Sequence, residues 1–383
     1  MPRQPIKIVQ ILSSSLGGAA DHVLNLVNST TEPGITHYLV IPPDGGHIIR
    51  DFTDAGYTVE TMNVARGFSL KTFFKLVRFL KKTDPHIVHC HGYRAGLYGR
   101  PAARLASLKI KTILTVHGFH YMHYRNKLKG FIFLTIERLF SVFTDLVIAV
   151  SDTDLKNLRR YKNACEEKSV AIFNGIDAEA IISLDIDRSA KKRELGIPEG
   201  AEYIIGTVAR LRPEKGVLYF LRAIPVVLQR YPNAYFLVAG DGEQRKEFED
   251  LVQEFSIANR VGFLGNRDDV PEILKVLDIF VFPSLWEGLP IAPLEAMVAG
   301  VPVVATDVSG NKDVIGYDNE NGLLVPPEAP EAIAEAVIRL LADKSLANKL
   351  AASALQRVRE NFMVWQMAGK TIKIYRQLLG EQL

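Results

Sequence analysis

Short apolar runs rich in β-branched residues alternate along this chain with segments of helical period, and they do so in two successive series. The first contains KIVQIL, HYLVI, YTVETM, HIVHC, TILTV, DLVIAV and VAIF, with helical patterns such as AADHVLNLV and LKTFFKLVRFLKK between them. The second contains YIIGTVA, AYFLVAG, VGFLG, IFVFPS, VPVVAT and GLLVP, again separated by helices such as VLYFLRAIPVVLQRY. Strand runs that are continuously apolar are covered on both faces, and strands joined through a helix pair in parallel. The fold class expected is therefore α/β, with two Rossmann-like doubly wound domains that take ligands in the crevice beyond their strand carboxyl ends. Between the series, Asn174-Gly175 is a turn dipeptide. The segment AEAIISLDIDRSAKKRELGIPEG that follows is polar and lacks a strand period, which marks an interdomain connection. After Val325 the pattern is nearly all helical. Three parts are expected: residues 1–180, residues 181–364, and a terminal helix over 365–383.

At 383 residues, 48% hydrophobic and 23% charged, the chain can bury two ordinary cores. Its two cysteines, Cys90 and Cys165, are far apart and have no metal-ligand spacing, so a disulfide framework and a zinc ribbon are both unsupported and a reducing cytoplasm is the expected setting. The apolar run near the N-terminus is six residues long and gives way to serines, which suits a first buried strand better than an export signal. The most apolar stretch, residues 130–151, is interrupted by Glu137, Arg138 and Asp145, so no membrane span is expected. A net charge of +3 conceals an asymmetry. Up to Ile182 there are 23 Lys/Arg against 15 Asp/Glu, net +8, and the remainder has 23 against 28, net −5.

Three stretches carry candidate chemistry. Leu16-Gly17-Gly18-Ala19 follows the first strand and opens a helix; it reads equally as an anion cradle at a helix N-terminus or as a tight turn. It lacks G-x-G-x-x-G, so no dinucleotide cofactor is expected. GTVARLRPEKG places Arg210, Arg212 and Lys215 just past the first strand of the second series, where a forked guanidinium and an ammonium can hold a diphosphate without a metal, or simply face solvent. In SLWEGLPIAPLEAMVAG, Glu287 lies on a loop beside Gly288, and Glu295 sits about one turn into the next helix. Such acids can accept hydrogen bonds from vicinal sugar hydroxyls, or can complement a helix dipole.

Taken in order, SSSLGGA, TVHG, NGID, GTVARLRPEKG, VAGDGE, FLGNRDDV and EGLPIAPLEAMVAGVPVVAT resemble the retaining glycosyltransferases of family 4, essentially end to end. The resemblance implies the GT-B fold, two Rossmann-like domains facing a deep cleft, with the last helix around Trp365 returning to the first domain. It implies that Arg210 and Lys215 bind the donor diphosphate, that Glu295 takes the ribose hydroxyls, that Glu287 lies near the donor sugar hydroxyls and that His117 lies near the sugar ring. Backbone over Leu264, Gly265 and Asn266 would contact the base, Gly17 and Gly18 would line the diphosphate side, and Ser309-Gly310 would border the sugar pocket. Gly240, Gly288, Leu289 and Ile291 complete the implied donor set. Asp313 stands where many members carry glutamate, which leaves the loop after Thr306 open.

Two Asp-x-Asp triplets, Asp152 to Asp154 and Asp185 to Asp187, suit helix starts and a connecting segment better than a metal site. His89 and His91 end a strand on one face. With His120 they are expected to line the acceptor side, and no metal is expected. Lys71, Lys75, Arg78 and Lys82 fall on one helix face, which is either an ordinary solvated face or one that meets an anionic membrane. Arg100, Arg104, Lys109, Lys111, Arg125, Lys127 and Lys129 add to the same basic domain. No nucleic-acid motif accompanies the charge. The expectation is sugar transfer, with retention, from a uridine or guanosine diphosphate sugar to a saccharide or polyprenyl-linked acceptor in surface-glycan assembly, in the cytoplasm or at the inner face of the membrane. A nucleotide-sugar epimerase on the same fold and a non-catalytic sugar-nucleotide-binding subunit are the alternatives.

Overall fold

The run IVHCH forms strand Ile87–His91 with all five residues buried, and AYFLVA forms Ala234–Ala239 with all six buried. Burial on both faces is what a parallel sheet covered by crossover helices imposes. A computed structural model describes residues 5–15, 17–30, 34–43, 48–64, 67–118, 127–161, 166–316 and 319–380. Leu16, His120, Arg125 and Cys165 lie outside the described residues, as does most of the GFHYMHYR segment after His117.

By its contacts the chain divides into Met1–Gly175 with Val364–Leu383, and Ile176–Met363. In the first unit, strands β1 (Ile6–Leu12), β2 (Ile35–Ile41), β3 (Thr58–Thr61), β4 (Ile87–His91), β5 (Lys111–Val116), β6 (Leu146–Ala149) and β7 (Ser169–Ala171) form one parallel sheet in the order β3-β2-β1-β4-β5-β6-β7. Alternate residues feed opposite cores. Val9 and Ile11 join Val88 and Cys90 beneath the helices Leu70–Thr83 and Tyr93–Ala106, whereas Ile8 and Ile87 meet Met367 and Tyr375 of the last helix, Val364–Leu378. The return of the last segment to the first unit is thus a packing contact with its core.

The second unit contains β8 (Tyr203–Val208), β9 (Ala234–Ala239), β10 (Val261–Gly265), β11 (Ile279–Phe282), β12 (Val303–Thr306) and β13 (Leu323–Val325), all parallel, in the order β10-β9-β8-β11-β12-β13. Both sheets are α/β and doubly wound. The strand order reverses between β1 and β4 in one sheet and between β8 and β11 in the other, and these switch points are where such sheets open a crevice.

The boundaries differ from the sequence expectation. The seams fall at Gly175/Ile176 and Met363/Val364, and the polar segment taken as a connection belongs to the second unit. It folds into two short helices, Ala178–Ile182 and Arg188–Glu194, each capped by an aspartate accepting backbone N–H bonds, Asp177 from Ala180 and Asp187 from Ser189 and Ala190. Lys191 is buried there among Asp269, Glu194 and Glu272, and Arg188 reaches Asp278 at 2.7 Å. Ion pairs that form only in three dimensions therefore fix a segment with no strand period.

The last helix is also tied by polar contacts. The Tyr375 hydroxyl accepts from Gln10 Nε2 at 3.2 Å and lies 2.7 Å from His89 Nδ1, and all three residues are buried. Removing the hydroxyl strands two buried groups, which costs about 1–3 kcal/mol. Tyr375→Phe should therefore lower the unfolding free energy by that amount in urea titrations, and an unchanged midpoint would show that the helix is held by apolar packing alone.

Candidate active site

Strand β8 ends at Val208, and the chain then turns through Arg210 and Arg212 into the 3-10 turn Pro213–Lys215 and the helix Val217–Arg230. The turn closes at Gly216, whose φ of 62° is in the left-handed region. A Cβ at this position would lie 2.0 Å from the Pro283 carbonyl oxygen, so the loop after β8 rests directly on the loop after β11. A backbone bond from Leu285 N to Glu214 O at 2.9 Å fastens the two loops. Their contact brings Lys215 Nζ to 2.6 Å from Glu287 Oε1, with 18% of the lysine and 9% of the glutamate side chain exposed. Lys215 Nζ also lies 5.8 Å from the centre of the Phe282 ring, a cation–π contact. Arg210 on the same loop is exposed.

The remaining loops at this end of the sheet join the same rim. Gly240, at the end of β9, donates its N–H to Gly265 O at 2.7 Å, which links the β9 and β10 ends. Leu264 and Gly265 are half-buried and Asn266 is exposed. The helix Ser309–Ile315 opens after β12. A Cβ at Gly310 would lie 2.3 Å from Gly288 O, and Ser309 Oγ donates to Glu287 O at 3.0 Å. The stretch left open after Thr306 is therefore a helix start packed on the acidic loop. Asn311 braces it by donating to Thr306 O at 2.9 Å, while the Thr306 hydroxyl donates to Ser284 O. Gly288 and Leu289 are buried, and Ile291 and Glu295 are half-buried, Glu295 one turn into the helix Ile291–Val298. The second-unit residues expected to hold the donor thus gather at the carboxyl end of its sheet. Thr306 and Asn311 escaped the sequence reading because neither carries a charge.

In the first unit, Gly17 precedes the helix Gly18–Asn28 and its carbonyl accepts from Ala20 N at 2.7 Å. One turn into that helix is His22, buried, with its ring centre 4.9 Å from that of His117. Gln10 Oε1, in the middle of β1, accepts from His91 Nε2 at 2.8 Å. His91 Nδ1 is thereby left to accept from His117 Nε2 at 3.4 Å. His117, half-buried, is where this buried histidine cluster meets the surface. The sequence reading missed His22 and Gln10; the available signal was a polar side chain inside an apolar periodic run.

The acceptor-side role expected of His89 and His91 does not fit their surroundings. Both are 1% exposed. His89 spends one ring nitrogen on the Tyr375 hydroxyl and the other on Thr115 Oγ1, each at 2.7 Å, and both nitrogens of His91 are engaged as described. They do share a face, as the strand period required, but that face is covered by Tyr375 of the last helix at His89 and by His22 of the helix Gly18–Asn28 at His91. Ligand atoms of His22, His91 and His117 lie within 4.8 Å of one another, a spacing compatible with a metal ion. The Asp-x-Asp residues serve as helix ends, with Ser151 capping the helix Asp152–Arg160 through Asp154 N and Asp187 capping its own helix.

Comparison with known proteins gives the class. The family described as "Glycosyl transferases group 1" matches residues 187–357, and "Glycosyltransferase Family 4" matches residues 16–180. An Escherichia coli UDP-Gal:α-D-GlcNAc-diphosphoundecaprenol α-1,3-galactosyltransferase is 29% identical over 82% of this chain and 81% of its own length. A lipopolysaccharide core biosynthesis mannosyltransferase of Rhizobium meliloti is 30% identical over 55% of this chain, which spans 61% of that relative. The crystal structure of Anabaena HepE in complex with UDP and glucose superposes with a TM-score of 0.86 at 20% identity, covering 97% of this chain and 100% of that one. The fold is GT-B, and the chain belongs to the group 1 glycosyltransferases of family 4. It is a glycosyltransferase.

Burial holds the histidine cluster neutral. The His22 pKa is pushed down to about 4 by burial, against an opposing hydrogen bond with Asn174, and His37 also falls to about 4. Burial, then the neighbouring histidines, takes His89 and His91 well below 6.5. Between pH 4 and 6.5 the unfolded chain binds protons that the folded chain refuses, so stability rises with pH across this window and is lost as pH falls through it. Denaturant titrations should show that decline, and His37→Asn should make it shallower. An equally steep slope in the variant would remove His37 from the account.

Proposed function

We propose that this glycosyltransferase moves a hexosyl group, with retention of configuration, from a nucleoside-diphosphate sugar to a saccharide or polyprenyl-linked acceptor in surface-polysaccharide or glycan assembly. The donor is of the uridine type in preference to guanosine. The observation that carries this reading is the Lys215–Glu287 pair, held at 2.6 Å where the strand order reverses between β8 and β11. The donor base lies along Leu264 to Asn266, the ribose hydroxyls on Glu295 and the diphosphate on Arg210, Lys215 and the Gly288-Leu289 backbone. Glu287 accepts from the sugar hydroxyls and orients the ammonium beside it.

In the reaction, the bond from the anomeric carbon to the diphosphate oxygen breaks and the diphosphate departs with the electron pair. The acceptor hydroxyl oxygen bonds to the same face of the sugar and its proton passes to the departing phosphate oxygen. Negative charge grows on the diphosphate, where the prearranged cations of the second unit stabilise the transition state. Side chains thereby supply the charge neutralisation, and the proposal requires no metal or cofactor.

A uridine donor and a polyprenyl-linked acceptor are supported by the printed name of the Escherichia coli relative, and the uridine donor also by the nucleotide in the Anabaena structure. The net +8 of the first 182 residues supports an acceptor carried on an anionic surface. No helix among the described residues is long and apolar enough to cross a membrane, so the contact proposed is peripheral, at the inner face. Lys215→Ala should lower kcat/KM for a UDP-sugar by about a hundred- to a thousandfold, or about 3–4 kcal/mol, as loss of a prearranged transition-state contact does. Wild-type kcat/KM in that variant would sink the diphosphate role.

A further inference from the structure

The neighbouring strands β1, β4 and β5 each bring one histidine to the carboxyl end of the first sheet. His22 lies one turn into the helix that follows β1, His91 ends β4, and His117 stands just past the end of β5. Their ring centres form a triangle with sides of 4.9, 5.6 and 5.6 Å, and one nitrogen from each ring lies within 4.8 Å of the other two. His22 and His91 are buried and His117 is half-buried, so one corner of the triangle meets the surface. His89 takes no part, because the Tyr375 hydroxyl and Thr115 Oγ1 occupy both of its ring nitrogens.

Three details separate this triangle from histidines packed only for shape. His91 Nδ1 and His117 Nε2 are 3.4 Å apart, which is long for a hydrogen bond. Two nitrogens bound at about 2.0–2.1 Å to a tetrahedral ion stand roughly 3.3–3.4 Å apart, so this contact already has the length of one edge of such a site. Behind His91, Gln10 Oε1 accepts from Nε2 at 2.8 Å and thereby aims the Nδ1 lone pair into the triangle. Gln10 is itself held by donating to the Tyr375 hydroxyl at 3.2 Å. An oxygen acceptor on the far ring nitrogen is what orients a metal-ligating histidine and raises its basicity. His22 Nδ1, finally, is buried with no hydrogen-bond partner among the described residues, and a buried polar atom in that state calls for one.

We propose that His22, His91 and His117 form a binding site for a divalent ion of the zinc class. An all-imidazole set suits zinc, copper or nickel, and not calcium or magnesium, which take oxygen ligands. Burial keeps the His22 and His91 rings neutral, which is the ligating form. His117 joins them by carrying its proton on Nδ1 in place of Nε2, a change of tautomer that leaves the ring neutral. The charge neutralisation proposed at Lys215 and Glu287 uses none of these rings, so the ion is an addition to that reading and not a cofactor of it. Its effect is to engage His117, the corner of the cluster that meets the surface, and so to withdraw that ring from any substrate.

Full-length protein without an affinity tag, stripped with EDTA, would be titrated with zinc chloride against a chromophoric chelator. No donor or acceptor is present, so the result is read apart from sugar transfer. A parallel titration with cobalt(II) reports geometry, because visible absorption is intense for a tetrahedral ion and weak for the octahedral hydrate. Wild type should bind one zinc per chain, melt at a higher temperature when loaded, and give the tetrahedral cobalt band. Gln10→Leu, which removes only the acceptor that aims His91, should weaken zinc binding by about 10- to 100-fold. His117→Ala should weaken it further and abolish the cobalt band. The His117 side chain is half-buried, so its loss should leave the melting temperature of the stripped protein unchanged; His117→Gln, closer in size and a poor zinc ligand, serves if it does not. Three outcomes overturn the proposal: wild type that binds no zinc, a wild-type cobalt spectrum like that of the hydrate, or a His117 variant that binds as wild type does, which would assign the ion to other histidines.

Discussion

A Cβ at position 216 would stand 2.0 Å from the Pro283 carbonyl oxygen, closer than any two such atoms can approach. The absence of that atom lets the loop after β8 lie on the loop after β11, and the site of the second unit depends on this contact. Once the loops touch, Lys215 and Glu287, 72 positions apart in sequence, meet in an ion pair with most of its surface withdrawn from water. Ser309 and Gly310 then close on Glu287 and Gly288 from the next strand. A short cationic turn and a half-buried acid become a single fixed device, with the charge placed before any ligand arrives. If the proposed donor diphosphate binds there, that prearrangement would stabilise its departure with no reorganisation left for the reaction itself.

The first unit is arranged on a different principle. Its histidines are neutral because burial disfavours the charged ring, and the sense of the hydrogen bonds at His91 is set by Gln10. Gln10 Oε1 can only accept, which makes His91 Nε2 the donor and His91 Nδ1 the acceptor from His117. The polarity of the chain is set inside the core and delivered at the half-buried His117. An apolar strand carrying one amide thus determines the tautomer of a ring on another strand.

The strands and their parallel pairing were legible in the sequence because continuous apolar runs leave few alternatives, and the grouping of Lys215, Glu287 and Ser309-Gly310 at strand ends was legible because these residues follow those runs directly. Other features were not. His89 and His91 do share a face, but whether that face is open depends on Tyr375, which arrives 286 residues after His89. The segment 178–200 has no strand period, and its place in the second unit is fixed by Lys191 and Arg188 finding acids about 78 and 90 positions later. The apolar stretch 130–151 was evident as composition, yet which side of its helix faces in depends on the buried Arg100–Glu137 pair and on Phe133 and Leu134 packing against the core. What local pattern records is element type, and what it omits is the partner on the far side.

Lys215 and Glu287 are proposed to act on the donor as one unit. A double-mutant cycle on kcat/KM for a UDP-sugar tests it most directly, using Lys215→Ala, Glu287→Gln and the double variant. The coupling energy between the two sites should be about 1–3 kcal/mol, with the double variant losing less than the sum of the singles. Additive losses would contradict it, leaving two independent residues that merely stand 2.6 Å apart.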